Sequence, residues 1–369
     1  MFLKKLSVFN FKNYSTVDIE LSNGVNAFTG DNGEGKTNLL DAIHYLALCK
    51  SFFNSTDPQN VKRGEDIFFL QGAFDLNEIE ESITCGFKRT QKKVLKRNQK
   101  EYDKFSDHIG LIPVVMISPT DVSLITEGSE ERRRFLDSII SQFNRSYLDD
   151  LINYGKVIAQ RNAYLKQIYH SGKFDVDSLS IWDDQLIPLG NRIHSVRKEF
   201  IIELIPIFKR YYDFISGSKE SITIDYESGL NERSFEEMMK GNLEKDKIVQ
   251  YTTGGIHRDD LIFIINDFPV KKYASQGQQK SFLIALKLAQ FEFMVRQKKI
   301  KPILLLDDIY EKLDDKRISR LMELVSKHNF GQIFITDTHI ARVKEIFERI
   351  NEDVRCFDVT DGIVKQLPY

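Results

Sequence analysis

Two short stretches of this chain carry residues whose types and spacing can do chemistry on a phosphate. The first is Gly30-x-x-x-x-Gly35-Lys36-Thr37, with Asp31, Asn32, Gly33 and Glu34 between the glycines and Asn38 after them. Glycines let backbone N–H groups point inward at phosphate oxygens, helped by the helix N-terminus behind them. Lys36 then places a point charge between β- and γ-phosphate, and the Thr37 hydroxyl is a ligand for Mg²⁺. The second is Ile303-Leu304-Leu305-Leu306-Asp307-Asp308, an apolar strand ending in acid. Such a strand delivers a carboxylate to the edge of a sheet, where the metal of a nucleotide site belongs. Asp307 is expected to hold the metal and Asp308 to polarise an attacking water. ATP and Mg²⁺ are the expected cofactors, with Lys36, Asp307 and Asp308 as the catalytic set.

Elements of the right kind flank both stretches. Residues 2–30 read as strands: Val17, Ile19 and Leu21 alternate with polar residues, and Val25 to Phe28 runs straight into the glycine loop. Leu39, Leu40, Ile43 and Leu46 follow at helical spacing. Further β-like runs are Ile67–Leu70, Ile83–Phe87 and Val114–Ile117. From Glu130 to about His170 the apolar positions recur three and four apart, and a second helical stretch runs from Ser178 to Ile215. Pro188 and Pro206 predict that the second stretch is kinked or broken. Mixed character returns with a strand at Leu261–Ile265, a helix at Phe282–Val295, buried strands at Ile303–Leu306 and Gln332–Thr336, and a helix at Arg317–His328. The expectation is one α/β domain built from both chain ends, residues 1–120 and 249–369, with a mainly helical lobe, 121–248, inserted.

Composition narrows the classes. The 369 residues carry 52 Lys and Arg against 54 Asp and Glu, so nucleic-acid contact must come from a local patch and not from bulk charge. No apolar run is long enough for a membrane span, and Met1–Lys5 is not followed by a signal-peptide core. Three scattered cysteines, Cys49, Cys85 and Cys356, make no disulfide framework. A cytoplasmic protein without a membrane partner is expected.

Ser275-Gln276-Gly277-Gln278-Gln279-Lys280 stands before the last long helix. Taken alone it could be a polar helix N-cap with Ser275 as the cap. It also resembles the Ser-x-Gly-x-Gln signature of ABC-type ATPases, in which the serine hydroxyl and glycine N–H reach the γ-phosphate held by a second subunit. Glu311-Lys312-Leu313-Asp314 resembles the D-loop of that superfamily. His339 or Asp337 stands where its phosphate-sensing residue is placed, and Ser118-Pro119 lies where its metal-bridging glutamine is looked for. Asn10-Phe11-Lys12-Asn13-Tyr14 and Asn38 to Ile43 are similar to the SMC-like ATPases within it. Ile117 to Asp121, Arg132 to Asp137 and Gly255-Ile256-His257-Arg258-Asp259-Asp260-Leu261 are similar to the branch of that group acting in bacterial recombination and replication. Lys12 departs from the arginine preferred there, and Ile256 from a proline.

The resemblance implies an ABC-type ATPase head, a P-loop NTPase fold with an inserted helical lobe. It implies an ATP-dependent homodimer in which Ser275, Gly277 and Gln278 cap the partner's nucleotide. It further implies weak DNA-dependent ATPase activity, DNA repair and SOS-response function at gapped DNA or single-strand/double-strand junctions, and RecA loading with RecO- and RecR-type mediators. Two other readings stay open: an ABC importer ATPase subunit, and an ATP-gated scaffold without turnover, since Asp308 is shorter than the glutamate usual at that place.

Two patches are candidates for the DNA. Lys88 to Lys100 holds seven bases and no acid and reads as a hairpin turning at Asn98-Gln99, with Lys92, Lys93, Lys96 and Arg97 facing phosphates. Arg132 and Arg133, with Arg134, form the second patch; ion pairing with Glu130 and Glu131 is the alternative.

Overall fold

A computed structural model describes residues 1–171, 176–217, 220–309, 317, 319–320, 323, 330–339 and 353–368. Two compact units divide them: Met1–Asp121, Phe214–Gly217 and Lys280–Tyr369 form the first, and Val122–Asp213 with Ser218–Gln279 the second.

The first unit begins with β1 (Phe2–Phe11), β2 (Tyr14–Glu20), β3 (Val25–Thr29) and α1 (Lys36–Leu48). It continues with β4 (Ile67–Leu76), β5 (Ile79–Lys88), β6 (Val94–Arg97), β7 (Lys100–Glu101) and β8 (Val114–Ile117). One antiparallel sheet has the order β2-β1-β4-β5-β6-β7. Its strands alternate in burial, as the period-2 pattern predicts. In α1, eleven of thirteen residues are buried, because the helix touches β1, β4 and β5 of this sheet and also β8 of a second one.

Chain order in the second unit is α2 (Ser123–Thr126), α3 (Ser129–Phe143), α4 (Arg145–Ser171), α5 (Val176–Ser216), β9 (Ile222–Glu227), α6 (Phe235–Val249), β10 (Asp260–Ile265), β11 (Phe268–Pro269) and α7 (Val270–Tyr273). The last long helix, α8 (Gln276–Lys298), starts here and continues in the first unit. The expected run from Glu130 to His170 is two helices parted at Asn144, whose side chain accepts from the Tyr147 N–H at 3.0 Å. Pro188 and Pro206 do not break α5, which is one helix of 41 residues. The expected lobe boundary at 248/249 falls inside this unit, because β10 pairs with β9 over six residues, Asp260↔Glu227 to Ile265↔Ile222. The lobe thus contains a small sheet, β11-β10-β9.

Returning to the first unit, the chain adds β12 (Ile303–Leu306), β13 (Ile333–Asp337), β14 (Val354–Thr360) and β15 (Ile363–Gln366). The second sheet has the order β15-β14-β3-β13-β12-β8, all parallel except the β14–β15 pair. β3, β8, β12 and β13 are buried throughout, which is why β8, β12 and the start of β13 read as continuous apolar runs. All three cysteines are free and buried. Among the described residues no helix is long and apolar enough to cross a membrane. The D-loop-like Glu311–Asp314, and most of the expected helix at Arg317–His328, lie outside the described residues.

Candidate functional site

Parallel strands bring their carboxyl ends to one edge, and the sheet order decides which side chains meet there. Leu306 pairs with Ile117 on one side and Ile335 on the other. The next residue along each strand, Asp307, Ser118 and Thr336, therefore lies abreast. β3, paired with β13, ends at the same edge and releases the chain into Gly30.

Two glycines are required by the path of that loop. Gly30 has φ 149°, and a Cβ there would stand 2.2 Å from the Val359 carbonyl oxygen. Gly35 has φ 114°, and a Cβ would stand 2.3 Å from Asn13 Nδ2. Asn13 clamps the loop from outside: its Nδ2 donates to the Glu34 carbonyl at 2.9 Å, and its Oδ1 accepts from Asn38 Nδ2 at 2.8 Å. Lys36 is 4 % exposed and its Nζ donates to the Gly30 and Asp31 carbonyls at 2.7 and 2.9 Å. α1 starts without a side-chain cap and without an acid in its first turn. Its leading N–H groups are thereby kept for an anion, and Asp31, Asn32 and Gly33 stand exposed beside them.

Three hydroxyls converge on the buried Asp307 carboxylate. Oδ1 accepts from Thr37 Oγ1 at 2.7 Å and from Thr336 Oγ1 at 3.0 Å, and Oδ2 from Ser118 Oγ at 3.1 Å. Burial pushes the Asp307 carboxyl above its ordinary pKa, against the opposing pull of these hydroxyls and of Lys36. Ser118 is held in turn by Asp121, whose Oδ2 accepts the Ser118 N–H at 2.8 Å and whose Oδ1 is paired with Lys287 at 2.7 Å. The donor set fits Mg²⁺: it is all hard oxygen, a carboxylate with hydroxyls around it. No group of three His, Cys, Asp or Glu able to hold a metal exists among the described residues, so phosphate oxygens and water must complete such a site.

Asp308 sits in the left-handed region at φ 43°, a conformation that costs energy for a non-glycine residue. Its N–H donates to Thr336 Oγ1 at 2.9 Å. The single Thr336 proton then has Asp307 Oδ1 at 3.0 Å and Asp308 Oδ1 at 3.3 Å as acceptors. Sequence reasoning missed Thr336 and the clamp Asn13 as site residues and pointed to Ser118-Pro119 only as the place to look for a glutamine, because hydroxyls and amides have no motif of their own here. The signal available for Thr336 and Ser118 was their place directly after a buried strand. Thr336→Val should destabilise the protein by about 1–3 kcal/mol, the cost of a buried N–H left without an acceptor, and leave nucleotide affinity within a few-fold. Denaturant melts of the two proteins decide it; equal stability would mean that the hydroxyl only fills space.

Asp337 is buried and its Oδ1 accepts the His339 N–H at 2.7 Å, which leaves the His339 side chain as the exposed member of that pair. In the second unit, Ser275 is indeed the cap of α8: its Oγ accepts the Gln278 N–H at 3.3 Å, and Gln278 Oε1 accepts the Ser275 N–H at 2.7 Å. The cap geometry leaves the segment exposed at Ser275 and Gln276.

The cations proposed for DNA are largely engaged within their own units. Lys93 Nζ donates to the Cys49 carbonyl at 2.6 Å and pairs with Asp57 at 3.1 Å. Arg97 meets Glu81 through Nε at 2.8 Å and Nη2 at 2.5 Å. Arg132 makes the same two-pronged contact with Asp260, at 2.6 and 2.9 Å, and Arg133 donates to the Asp259 carbonyl at 2.7 Å. Only Arg134 pairs with Glu130 and Glu131. The hairpin does turn at Asn98 and Gln99, both at positive φ, and Lys92 is exposed with Lys96 half-buried. The His257–Asp260 segment is a structural knot: His257 lies between Tyr154 OH at 2.8 Å and the Thr252 carbonyl at 3.0 Å, and Asp259 Oδ2 accepts from the buried Arg197 at 2.9 Å. Burial lowers the His257 pKa to about 4 and keeps the ring neutral.

The family model described as the RecF/RecN/SMC N terminal domain matches residues 2–365. The chain belongs to that family. The DNA replication and repair protein RecF of Flavobacterium johnsoniae is 51% identical over 359 residues, 97% of this chain and 100% of that protein. RecF of Bacteroides thetaiotaomicron is 45% identical over 368 residues, covering 100% of this chain and 99% of its own. A solved structure of the recombination mediator protein RecF with ATP superposes with a TM-score of 0.90 at 32% identity, covering 100% of this chain and 98% of that one. An Smc head bound to the C-winged helix domain of ScpA shares the fold, with a TM-score of 0.60 at 16% identity over 100% of this chain and 97% of that one. The RecF/SMC fold is the ABC-type ATPase head expected from the motifs.

Proposed function

We propose that this chain is an ATP-gated DNA-binding protein of replication and recombinational repair. One observation carries the nucleotide half: an uncapped helix start behind a glycine loop lies at the same sheet edge as a carboxylate ringed by the hydroxyls of Thr37, Ser118 and Thr336. ATP takes the loop from Gly30 to Asn38, with Lys36 against the β- and γ-phosphates. Thr37 and Asp307 would hold Mg²⁺, which neutralises phosphate charge when bound. Asp308 orients the water. Ser275, Gly277 and Gln278 of one copy complete the nucleotide site of the other. The names of the full-length relatives support the DNA half, and the RecFOR pathway named for the ATP-bound relative supports RecO- and RecR-type partners; RecA loading at gapped or junction DNA is part of the same proposal. Of the four hairpin cations proposed for the phosphate backbone, Lys92 and Lys96 are the two not engaged by Asp57 or Glu81, and Lys88 and Lys100 stand exposed on the same hairpin. A second reading, an ATP-gated scaffold with little turnover, is favoured by the Asp308 carboxylate lying at Thr336.

Light scattering with and without Mg-ATP and gapped DNA tests the proposal. A dimer is expected only with Mg-ATP, and more of it when DNA is added. A monomer under every condition would overturn the ATP-gated reading, and turnover measured alongside separates the enzyme from the scaffold.

A further inference from the structure

The β10–β11 hairpin turns on Asn266 and Asp267, at φ 48° and 65°, the two-residue turn that matches strand twist. Asn266 ties it to the neighbouring strand: its N–H donates to the Ser221 carbonyl at 2.7 Å and its Oδ1 accepts the Ser221 N–H at 2.9 Å. On the other side Val270 is fully buried and anchors α7. Between these anchors Phe268 and Tyr273 point away from the core, 52% and 63% exposed, with ring centroids 4.9 Å apart. Lys271 and Lys272 are exposed beside them, and the segment Phe268–Tyr273 contains no acid. Two large exposed rings in contact form a small apolar patch at the surface.

We infer that this surface is a contact for single-stranded nucleic acid, with bases stacking on Phe268 and Tyr273 and phosphates neutralised by Lys271 and Lys272. Aromatic faces interleaved with cations are how a strand is held without regard to sequence. Lysines at the centre argue against a protein partner, whose interface cores are depleted of them. The tethered turn and buried Val270 hold the rings in place beforehand, so little ordering cost is left for binding. The inference rests on the DNA half of the proposed function and is independent of the ATP half.

Anisotropy of a labelled oligo-dT and of a blunt duplex of equal length, on the full chain with and without Mg-ATP, tests it. Phe268→Ala with Tyr273→Ala should weaken dT binding about tenfold or more and duplex binding less than twofold. Lys271→Ala with Lys272→Ala should reduce the salt slope for dT by about 1. Phe268→Trp with Tyr273→Trp should keep dT affinity. Since Trp182 is the single native tryptophan, fluorescence quenched on dT addition then reports stacking at the new indoles. Unchanged dT affinity in the alanine pair overturns the inference, as does an equal loss for dT and duplex. So does loss of Mg-ATP self-association with dT affinity intact, which would assign the rings to a contact between copies. A chain that binds dT through these rings but never dimerises with ATP would sink the ATP-gated reading alone.

Discussion

Lys36→Ala is expected to remove measurable ATP binding. Its Nζ is 2.7 and 2.9 Å from the Gly30 and Asp31 carbonyls, so the amine closes the loop on itself as well as supplying charge. Alanine loses both roles. Truncating one member of a buried, hydrogen-bonded charge contact costs about 2–5 kcal/mol, which moves a micromolar affinity to about the millimolar range. The side chain is almost wholly buried and has no acidic partner in the loop, so little else in the fold depends on it. Calorimetric titration with ATP checks the expectation, with melting curves showing that the variant is folded. An affinity equal to that of the wild type would remove the Gly30–Asn38 loop as the nucleotide site.

Asp308→Asn should separate binding from chemistry. Asparagine is among the residues that tolerate the left-handed region best, so the backbone at φ 43° and its N–H bond to Thr336 survive. In the proposed ATP-gated cycle, where hydrolysis reopens a closed pair, the variant should still bind ATP and two copies should still close. Loss of water positioning costs about 10²–10⁴-fold in rate, and since hydrolysis reopens the pair, the variant should accumulate as an ATP-bound dimer. Ser275→Arg should act in the opposite sense, with nucleotide bound but closure blocked. Because Ser275 also caps α8, that change costs about 0.5–2 kcal/mol of helix stability. Ser275→Asp keeps the cap and sets a carboxylate against the partner's phosphate, so it too should stay monomeric. Light scattering with Mg-ATP reads all three; an Asp308→Asn monomer, or a Ser275→Asp dimer like the wild type, would point to an ATPase acting as a single chain.

The candidate nucleotide edge was legible as a set of elements because its parts are local. A glycine loop announces itself within eight residues, and a buried parallel strand ending in acid needs no partner to be read. Alternation in β2 and the apolar runs of β8, β12 and β13 follow from burial on one face or two. What stayed hidden depends on residues far apart in sequence. Arg132 looks like a free cation until Asp260 is brought to it, and Arg97 until Glu81 is. Lys93 is claimed by Asp57 and a carbonyl at the end of α1. Of the kink or break that the prolines predicted, the break does not occur: the flanking turns of α5 carry the helix through Pro188 and Pro206, although each removes one backbone donor. The extent of the second unit was hidden by β9, whose partner β10 lies beyond α6.

The strand that feeds the glycine loop has a consequence for how the molecule is made. β3 is made long before both of its sheet neighbours: Ala27 pairs with Ile335 on one side and with Cys356 on the other. A nascent chain therefore carries the loop with no parallel sheet to mount it on until β13 and β14 follow, and closing contacts of such sequence separation is slow. During that interval the apolar β3 and α1 depend on the antiparallel sheet or on chaperones for cover. The proposed nucleotide edge is thereby assembled only after β13 and β14 have been made, and a chain stopped before them carries the loop without that edge.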